Sequence, residues 1–249
     1  MRISKIFLAA LLTFGSAAGW AQNKGGIDPK MLGELRDSYK NTAEDKALRN
    51  ALAGTDIQKL ASNADVSAEV DGYFSHRVPT KGITDQESSG RCWLFSGLNV
   101  LRAKMMAEHH LPECEFSQAY CFFYDQLEKA NLFLQGVIDT RSLPMDDQTV
   151  AWLFKNPLSD GGQFTGVSDI IGKYGLVPRE VMNETYSTNN TARIAFLIKL
   201  KLREYGLRLR ELPAKANPAE IDKMKTEMLS TIYRMLALAF GEPPTEFTW

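Results

Sequence analysis

The segment Thr84–Arg102, TDQESSGRCWLFSGLNVLR, constrains the fold more than any other part of this chain. A polar turn that contains Gly90 leads into apolar residues at the three-and-four spacing of one buried helix face, which predicts a helix from about Arg91. Cys92 lies at the front edge of that helix, where free N–H groups and the helix dipole stabilise a thiolate. Cys92 is therefore a candidate nucleophile, and a buried structural cysteine is the alternative that position alone leaves open.

Gln86 precedes Cys92 by six residues. Its side-chain amide can fold back over the sulfur and, together with the backbone N–H of Cys92, donate hydrogen bonds to an oxyanion. A nucleophilic sulfur and two oxyanion donors are the parts that attack on a carbonyl requires. The segment is therefore compatible with acyl transfer.

Capping residues, helix breakers and apolar periodicity predict a mainly α-helical chain. The predicted helices cover about 29–52, 91–110, a segment capped by Ser117, 167–174, 191–212, and a segment from the cap Asn217 to Gly241. The last helix carries a stripe of methionine and isoleucine at helical spacing, which we interpret as core packing. Residues 73–84 are predicted as extended chain and residues 156–164 as a loop.

Charge and cysteine content exclude several classes of function. The chain carries 29 basic and 30 acidic side chains, a net charge of −1, which gives no indication of a nucleic-acid partner. Three cysteines without a C-x-x-C pair and three histidines do not suit a structural zinc site, so no metal and no other cofactor is predicted. Cys114 and Cys121 would lie roughly 10 Å apart on one helix, beyond disulfide reach, unless the chain bends between them.

Residues 1–21 have the pattern of a secretory signal peptide. Arg2 and Lys5 precede an apolar run, and Gly19 and Ala21 are the small residues before a cleavage site. Because the apolar run is short for a membrane span, we predict export, with a membrane anchor as the alternative. The remaining chain is divided into a partly helical N-terminal extension at 22–64, a helical part with the nucleophile at 65–190, and a helical hairpin segment at 191–249.

Several motifs resemble one family. Gln86 followed by GRCWLF is similar to the nucleophile segment of papain-like cysteine peptidases, and SSGRCWLF followed by LNVLR resembles their bleomycin hydrolase and aminopeptidase C branch. EFSQAY, KYGLVP and KLREY fit the same branch, and DGGQF resembles its D-G-G-Q loop with Phe164 in place of the usual Trp. The resemblance covers about Tyr73–Trp249.

The resemblance implies the helical half of a papain-like fold with a helical insertion, and cysteine aminopeptidase activity through a thioester on Cys92. Gln86 is then the oxyanion-hole donor. The substrate-binding residues are Gly161 and Gly162, whose backbone forms the wall for an extended peptide substrate, and Trp93, which contributes packing rather than chemistry. The family also implies a homo-hexamer, which a half-chain is not expected to form.

The catalytic histidine and its orienting asparagine, which the family carries in a β-rich half, have no counterpart in this sequence. His109 and His110 would lie roughly 25 Å from Cys92 along one helix, outside hydrogen-bond reach. His76 lies in predicted extended chain, and nothing around it favours the role of a base. We therefore expect an incomplete chain whose β-rich half is missing and which is inactive alone.

Two other functions stay open. A truncated or pseudo-enzyme binding module would keep the fold without its chemistry. A thiol–disulfide role for Cys92 is disfavoured, because no resolving cysteine is near it in the sequence.

Overall fold

A computed structural model of the protein describes residues 26–69, 71–78, 80 and 82–249. These residues divide into two compact units, one that ends at Phe74 and one that covers Ser75–Trp249. The predicted signal peptide at 1–21 lies outside the described residues, and the predicted domain limits at 64 and 190 stay predictions. Within the described ranges, no helix combines the length and apolar composition that a membrane span requires.

The first unit contains four short helices with polar caps. They are α1 (Pro29–Ser38), α2 (Ala43–Gly54), α3 (Ile57–Ala61) and α4 (Ala64–Ala68). Helices α1 to α3 bury no residue, so hydrogen bonds at their ends contribute to their stability. At the start of α2, the Thr42 hydroxyl accepts a hydrogen bond from the N–H of Asp45, and the Asp45 carboxylate accepts one from the N–H of Thr42. The predicted helix at 29–52 is interrupted between Tyr39 and Thr42, where Asn41 has a left-handed φ of 49°.

The second unit is also helical. Its helices are α5 (Cys92–Glu108), α6 (Gln118–Asp139), α7 (Gln148–Lys155), α8 (Phe164–Tyr174), α9 (Tyr186–Asn189), α10 (Thr191–Arg210) and α11 (Pro218–Phe240), with one 3-10 turn at Arg179–Val181. Extended pairing in the described part of this unit is limited to two isolated bridges, Ser88 with Asn190 and Phe116 with Pro178. The prediction of a mainly α-helical chain is therefore confirmed.

Helix α6 lies at the centre of the second unit and packs against α5, α7, α8, α10 and α11. As predicted, Ser117 caps it: the Ser117 hydroxyl accepts the N–H of Tyr120 at 3.0 Å and donates to the carbonyl of Met182 at 2.6 Å. Met228 and Ile232 of α11 are buried in the core that this helix organises, so the methionine stripe is core packing, as interpreted.

Several predicted boundaries differ from the structure. Helix α8 begins three residues before the predicted start, at Phe164, and ends as predicted at Tyr174, before Gly175, whose φ of +76° suits glycine. Helix α10 ends at Arg210 rather than 212. Helix α7 was not predicted, although Asp147 caps it by accepting the N–H groups of Thr149 and Val150.

Candidate active site

Cys92 is the first residue of α5, as predicted, and its thiol is free and exposed. The carbonyl of Arg91 accepts the N–H groups of Leu94 and Phe95 at 2.9 and 3.0 Å, which closes the first helical turn. In the part of the chain that the structure describes, the N–H of Cys92 has no acceptor. This N–H and the sulfur therefore lie together at the exposed, electropositive end of the helix.

Cys92 and Gln86 share one pocket of about 310 Å³. The pocket is lined by Ile83, Thr84, Asp85, Gln86, Cys92, Phe95, Ser96 and Asn99. Asn99 donates through its amide to the hydroxyl of Thr84 at 2.7 Å, which ties the segment before Gln86 to helix α5. Cys92 and Gln86, the predicted nucleophile and oxyanion donor, thus line the same pocket.

The turn before the helix is closed by reciprocal hydrogen bonds. The side-chain amide of Gln86 donates to the carbonyl of Ser89 at 2.5 Å, and the hydroxyl of Ser89 donates to the carbonyl of Gln86 at 2.6 Å. Glu87 adopts a left-handed φ of 52° within this turn, and its N–H binds the carboxylate of Asp85 at 2.8 Å. An amide nitrogen has two hydrogens, so one N–H of Gln86 remains for a ligand.

Arg91 is fully buried between the turn and the core, a feature that the sequence analysis missed. Its guanidinium binds both carboxylate oxygens of Glu184 at 2.8 and 3.0 Å and lies over the rings of Phe95 and Phe122. Its Nε donates to the hydroxyl of Ser89 at 2.9 Å. Burial lowers the pKa of Arg91, and the carboxylate of Glu184 acts in the opposite direction.

The loop that contains Asp160, Gly161 and Gly162 is held beside α5. The indole N–H of Trp93 donates to the carbonyl of Asp160 at 2.8 Å, and the N–H of Gly90 donates to the Asp160 carboxylate at 3.4 Å. The hydroxyl of Thr191 also donates to that carboxylate. The first two contacts fix the loop to Gly90 and Trp93, on either side of Cys92, and the third fixes it to the start of α10.

Lys129 fixes the same loop from α6. Its ammonium donates to the carbonyls of Ser159 at 3.0 Å and Gly161 at 2.7 Å, and to the carboxylate of Asp125 at 2.8 Å. It also lies 5.2 Å from the centre of the Trp93 ring. Burial raises the pKa of Asp125, and Lys129 opposes that shift.

The predicted substrate-binding residues do not line the pocket: Gly161 and Gly162 belong to the loop that contacts Trp93 of α5. Trp93 is almost fully buried, and its ring packs directly against Gly162. A methyl group on Gly162 would come within 2.6 Å of this ring, whereas one on Gly161 would meet only the Ser159 hydroxyl oxygen at 3.5 Å. Trp93 therefore supports the loop by packing.

Neither a histidine nor a metal cluster accompanies the thiol in the described structure. His109 follows the last residue of α5, 17 residues after Cys92, so the two lie roughly 25 Å apart along the axis. The exposed ring of His76 pairs with the Ser75 hydroxyl at 3.1 Å. The pocket therefore offers a nucleophile and oxyanion donors without a neighbouring base.

A sequence profile of the Peptidase C1-like family matches residues 26–249. The chain belongs to this family. Human bleomycin hydrolase is 41% identical over 232 residues, which are 91% of this chain and 51% of that protein. Aminopeptidase G of Lactobacillus delbrueckii subsp. lactis is 38% identical over 216 residues, which are 87% of this chain and 49% of that protein.

A solved structure of this peptidase family agrees with the fold. The crystal structure of PepW from Lactobacillus rhamnosis HN001 superposes with a TM-score of 0.82 at 38% identity, covering 90% of this chain and 50% of PepW. The chain thus spans about half the length of the relatives that it matches.

Proposed function

We propose that this chain provides the nucleophile-bearing half of a cysteine aminopeptidase site. The observation that carries the proposal is the shared pocket of the exposed Cys92 thiol and the Gln86 side chain at the start of α5. Membership in the Peptidase C1-like family supports hydrolysis of peptide bonds as the reaction class. The relatives named aminopeptidase and bleomycin hydrolase support a peptide or related amide as substrate.

In the proposed reaction, the sulfur of Cys92 attacks the carbonyl carbon of the scissile amide. An S–C bond forms, and the π electrons of the carbonyl move to its oxygen. The resulting oxyanion accepts hydrogen bonds from the side chain of Gln86 and the N–H of Cys92. Collapse of this intermediate expels the amine, which takes up a proton, and leaves a thioester that water hydrolyses to the acid and the free thiol.

The proton of the leaving amine requires a general acid. We propose that a histidine, oriented by an asparagine, comes from polypeptide outside residues 26–249. Two findings support this proposal: no histidine lines the described pocket, and the chain spans about half the length of its relatives. The chain alone is then expected to lack peptidase turnover.

We further propose that the substrate lies extended along the backbone of Gly161 and Gly162, because Trp93 and Lys129 hold this loop beside the nucleophile. Assembly of the complete enzyme into a hexamer stays a proposal from the family resemblance. Export stays a proposal from the signal-like pattern of residues 1–21.

A non-catalytic binding module is the second candidate, and the lack of a histidine in the described pocket favours it. The two candidates differ in the reactivity of the thiol. If the N–H groups at the start of α5 activate the sulfur as a nucleophile, Cys92 is alkylated faster than a free thiol. A binding module needs no such enhancement.

Iodoacetamide at pH 7 is expected to label Cys92 and to leave Cys114 and Cys121 unlabelled. Cys114 and Cys121 are buried, and burial raises the pKa of both thiols, that of Cys121 to about 12. Mass mapping gives the site, and N-acetylcysteine is the reference for the rate. Alkylation of Cys92 no faster than the reference would favour the binding module, and Cys92→Ala should remove the label.

A further inference from the structure

We propose that Glu184, Arg91 and Ser89 form a positioning relay that sets the orientation of the Gln86 amide toward the Cys92 sulfur. The inference rests on the proposed function, because it assigns these residues to the oxyanion donor of the same site. None of the three residues lines the pocket. Their effect on chemistry is therefore expected to pass through Gln86.

The first part of the relay is the ion pair between Glu184 and the buried side chain of Arg91. Arg91 has no exposed surface, and the side chain of Glu184 retains only 12% of its exposure. Both oxygens of the carboxylate accept hydrogen bonds from Nη1 of Arg91, and the guanidinium carbon lies over the rings of Phe95 and Phe122. Two different nitrogens are therefore held, Nη1 by Glu184 and Nε by the Ser89 hydroxyl, and these two contacts fix the orientation of the planar guanidinium.

Ser89 transmits this orientation to the turn. Its hydroxyl accepts a hydrogen bond from Arg91 Nε and donates one to the carbonyl of Gln86, so this single oxygen connects the guanidinium with the backbone of Gln86. The backbone carbonyl of the same serine accepts the Gln86 amide at 2.5 Å. The serine thus fixes Gln86 at both its backbone and its side chain.

The turn needs such support. Glu87 holds a left-handed φ of 52°, a conformation that a residue with a Cβ adopts only when its surroundings enforce it. Arg91 is also the N-cap residue of α5, and its carbonyl closes the first turn after Cys92. The buried side chain of Arg91 therefore supports the turn that positions Gln86, and the backbone of the same residue helps to position Cys92.

Binding of a peptidyl aldehyde tests the relay in the chain as it exists. The thiol of Cys92 adds across the aldehyde: an S–C bond forms, the carbonyl π bond breaks, and the thiol proton passes to the oxygen. The resulting oxygen occupies the position that the oxyanion donors serve. Because addition is reversible, the dissociation constant can be measured by protection of Cys92 from iodoacetamide.

A double-mutant cycle with Ser89→Ala and Gln86→Ala separates positioning from general stability. Gln86→Ala is expected to weaken aldehyde binding about tenfold or more, as loss of an oxyanion donor does. Ser89→Ala is expected to weaken it about three- to tenfold, the equivalent of one hydrogen bond. In the Gln86→Ala background, Ser89→Ala should cause no further loss. Ser230→Ala, which removes a comparable serine–carbonyl bond on α11, is the control and should leave binding unchanged.

The outcomes are distinct. If Ser89→Ala weakens aldehyde binding equally with and without Gln86, its role is not positioning and the relay is overturned. If Gln86→Ala weakens binding and Ser89→Ala does not, the relay is also overturned while the proposed function stands. If Gln86→Ala itself has no effect, the proposed oxyanion role fails and the relay fails with it. Glu184→Gln, which keeps the side-chain volume, should reproduce the coupled loss and provides a second variant.

Discussion

Glu184→Ala is expected to lower the free energy of unfolding by about 3–5 kcal/mol, because it leaves the buried charge of Arg91 without its partner. Arg91 has no exposed surface, one of its terminal nitrogens already lacks a hydrogen-bond partner, and the surrounding rings of Phe95 and Phe122 cannot replace a carboxylate. Urea unfolding followed by far-UV circular dichroism measures the loss.

Glu204→Ala is the matched control for this prediction. Glu204 pairs with Lys201 at 2.7 Å, but about half of its side chain is exposed. Removal of an exposed pair is expected to cost less than about 1 kcal/mol, because water and salt already weaken it. Similar losses for the two variants would contradict the assignment of Arg91 and Glu184 as a buried pair on which the start of α5 depends.

Gly162→Ala is expected to displace the loop beside the nucleophile and to destabilise the protein by about 1–3 kcal/mol through overpacking. The new methyl group would meet the Trp93 ring at 2.6 Å. This ring is buried and its N–H is bound to the carbonyl of Asp160, so the ring and the loop must move together. Tryptophan fluorescence and urea unfolding report the two effects, and peptidyl aldehyde binding should weaken with them.

Gly161→Ala provides the control within the same loop. Its methyl group would reach only the Ser159 hydroxyl oxygen at 3.5 Å, an ordinary contact, so stability and aldehyde binding are expected to stay within about 0.5 kcal/mol of the wild type. If the two glycines tolerate alanine equally, the close packing of Trp93 under Gly162 does not determine the position of the loop.

Local features of the sequence predicted much of the helical structure. Ser117 and Asn217 cap helices because the oxygen of a short polar side chain can accept a free N–H of the first helical turn. Cys92 and Gln86 could be placed together because Gln86 precedes Cys92 by only six positions and the intervening turn is short. The family resemblance indicated that the loop at Gly161 and Gly162 belongs to the site. In the structure, this loop lies beside α5, where it contacts Trp93.

The remaining features depend on pairs that are distant in the sequence. Glu184 follows Arg91 by 93 residues, and Gly161 follows Lys129 by 32, so no local period connects them. An arginine at the edge of an apolar run also has no local sign of full burial, because arginine is usually exposed. These contacts arise only when α6 and the segments around it are packed.

A crystal structure of the protein with a bound peptidyl aldehyde tests the site formed by Cys92 and Gln86 most directly. The proposed site requires a covalent bond from the aldehyde carbon to Cys92 Sγ. It also requires the new oxygen to lie about 2.7–3.2 Å from Gln86 Nε2 and from the backbone nitrogen of Cys92. An aldehyde that forms no bond with Cys92, or an adduct whose oxygen points to solvent while the Gln86 amide contacts only Ser89, would contradict it.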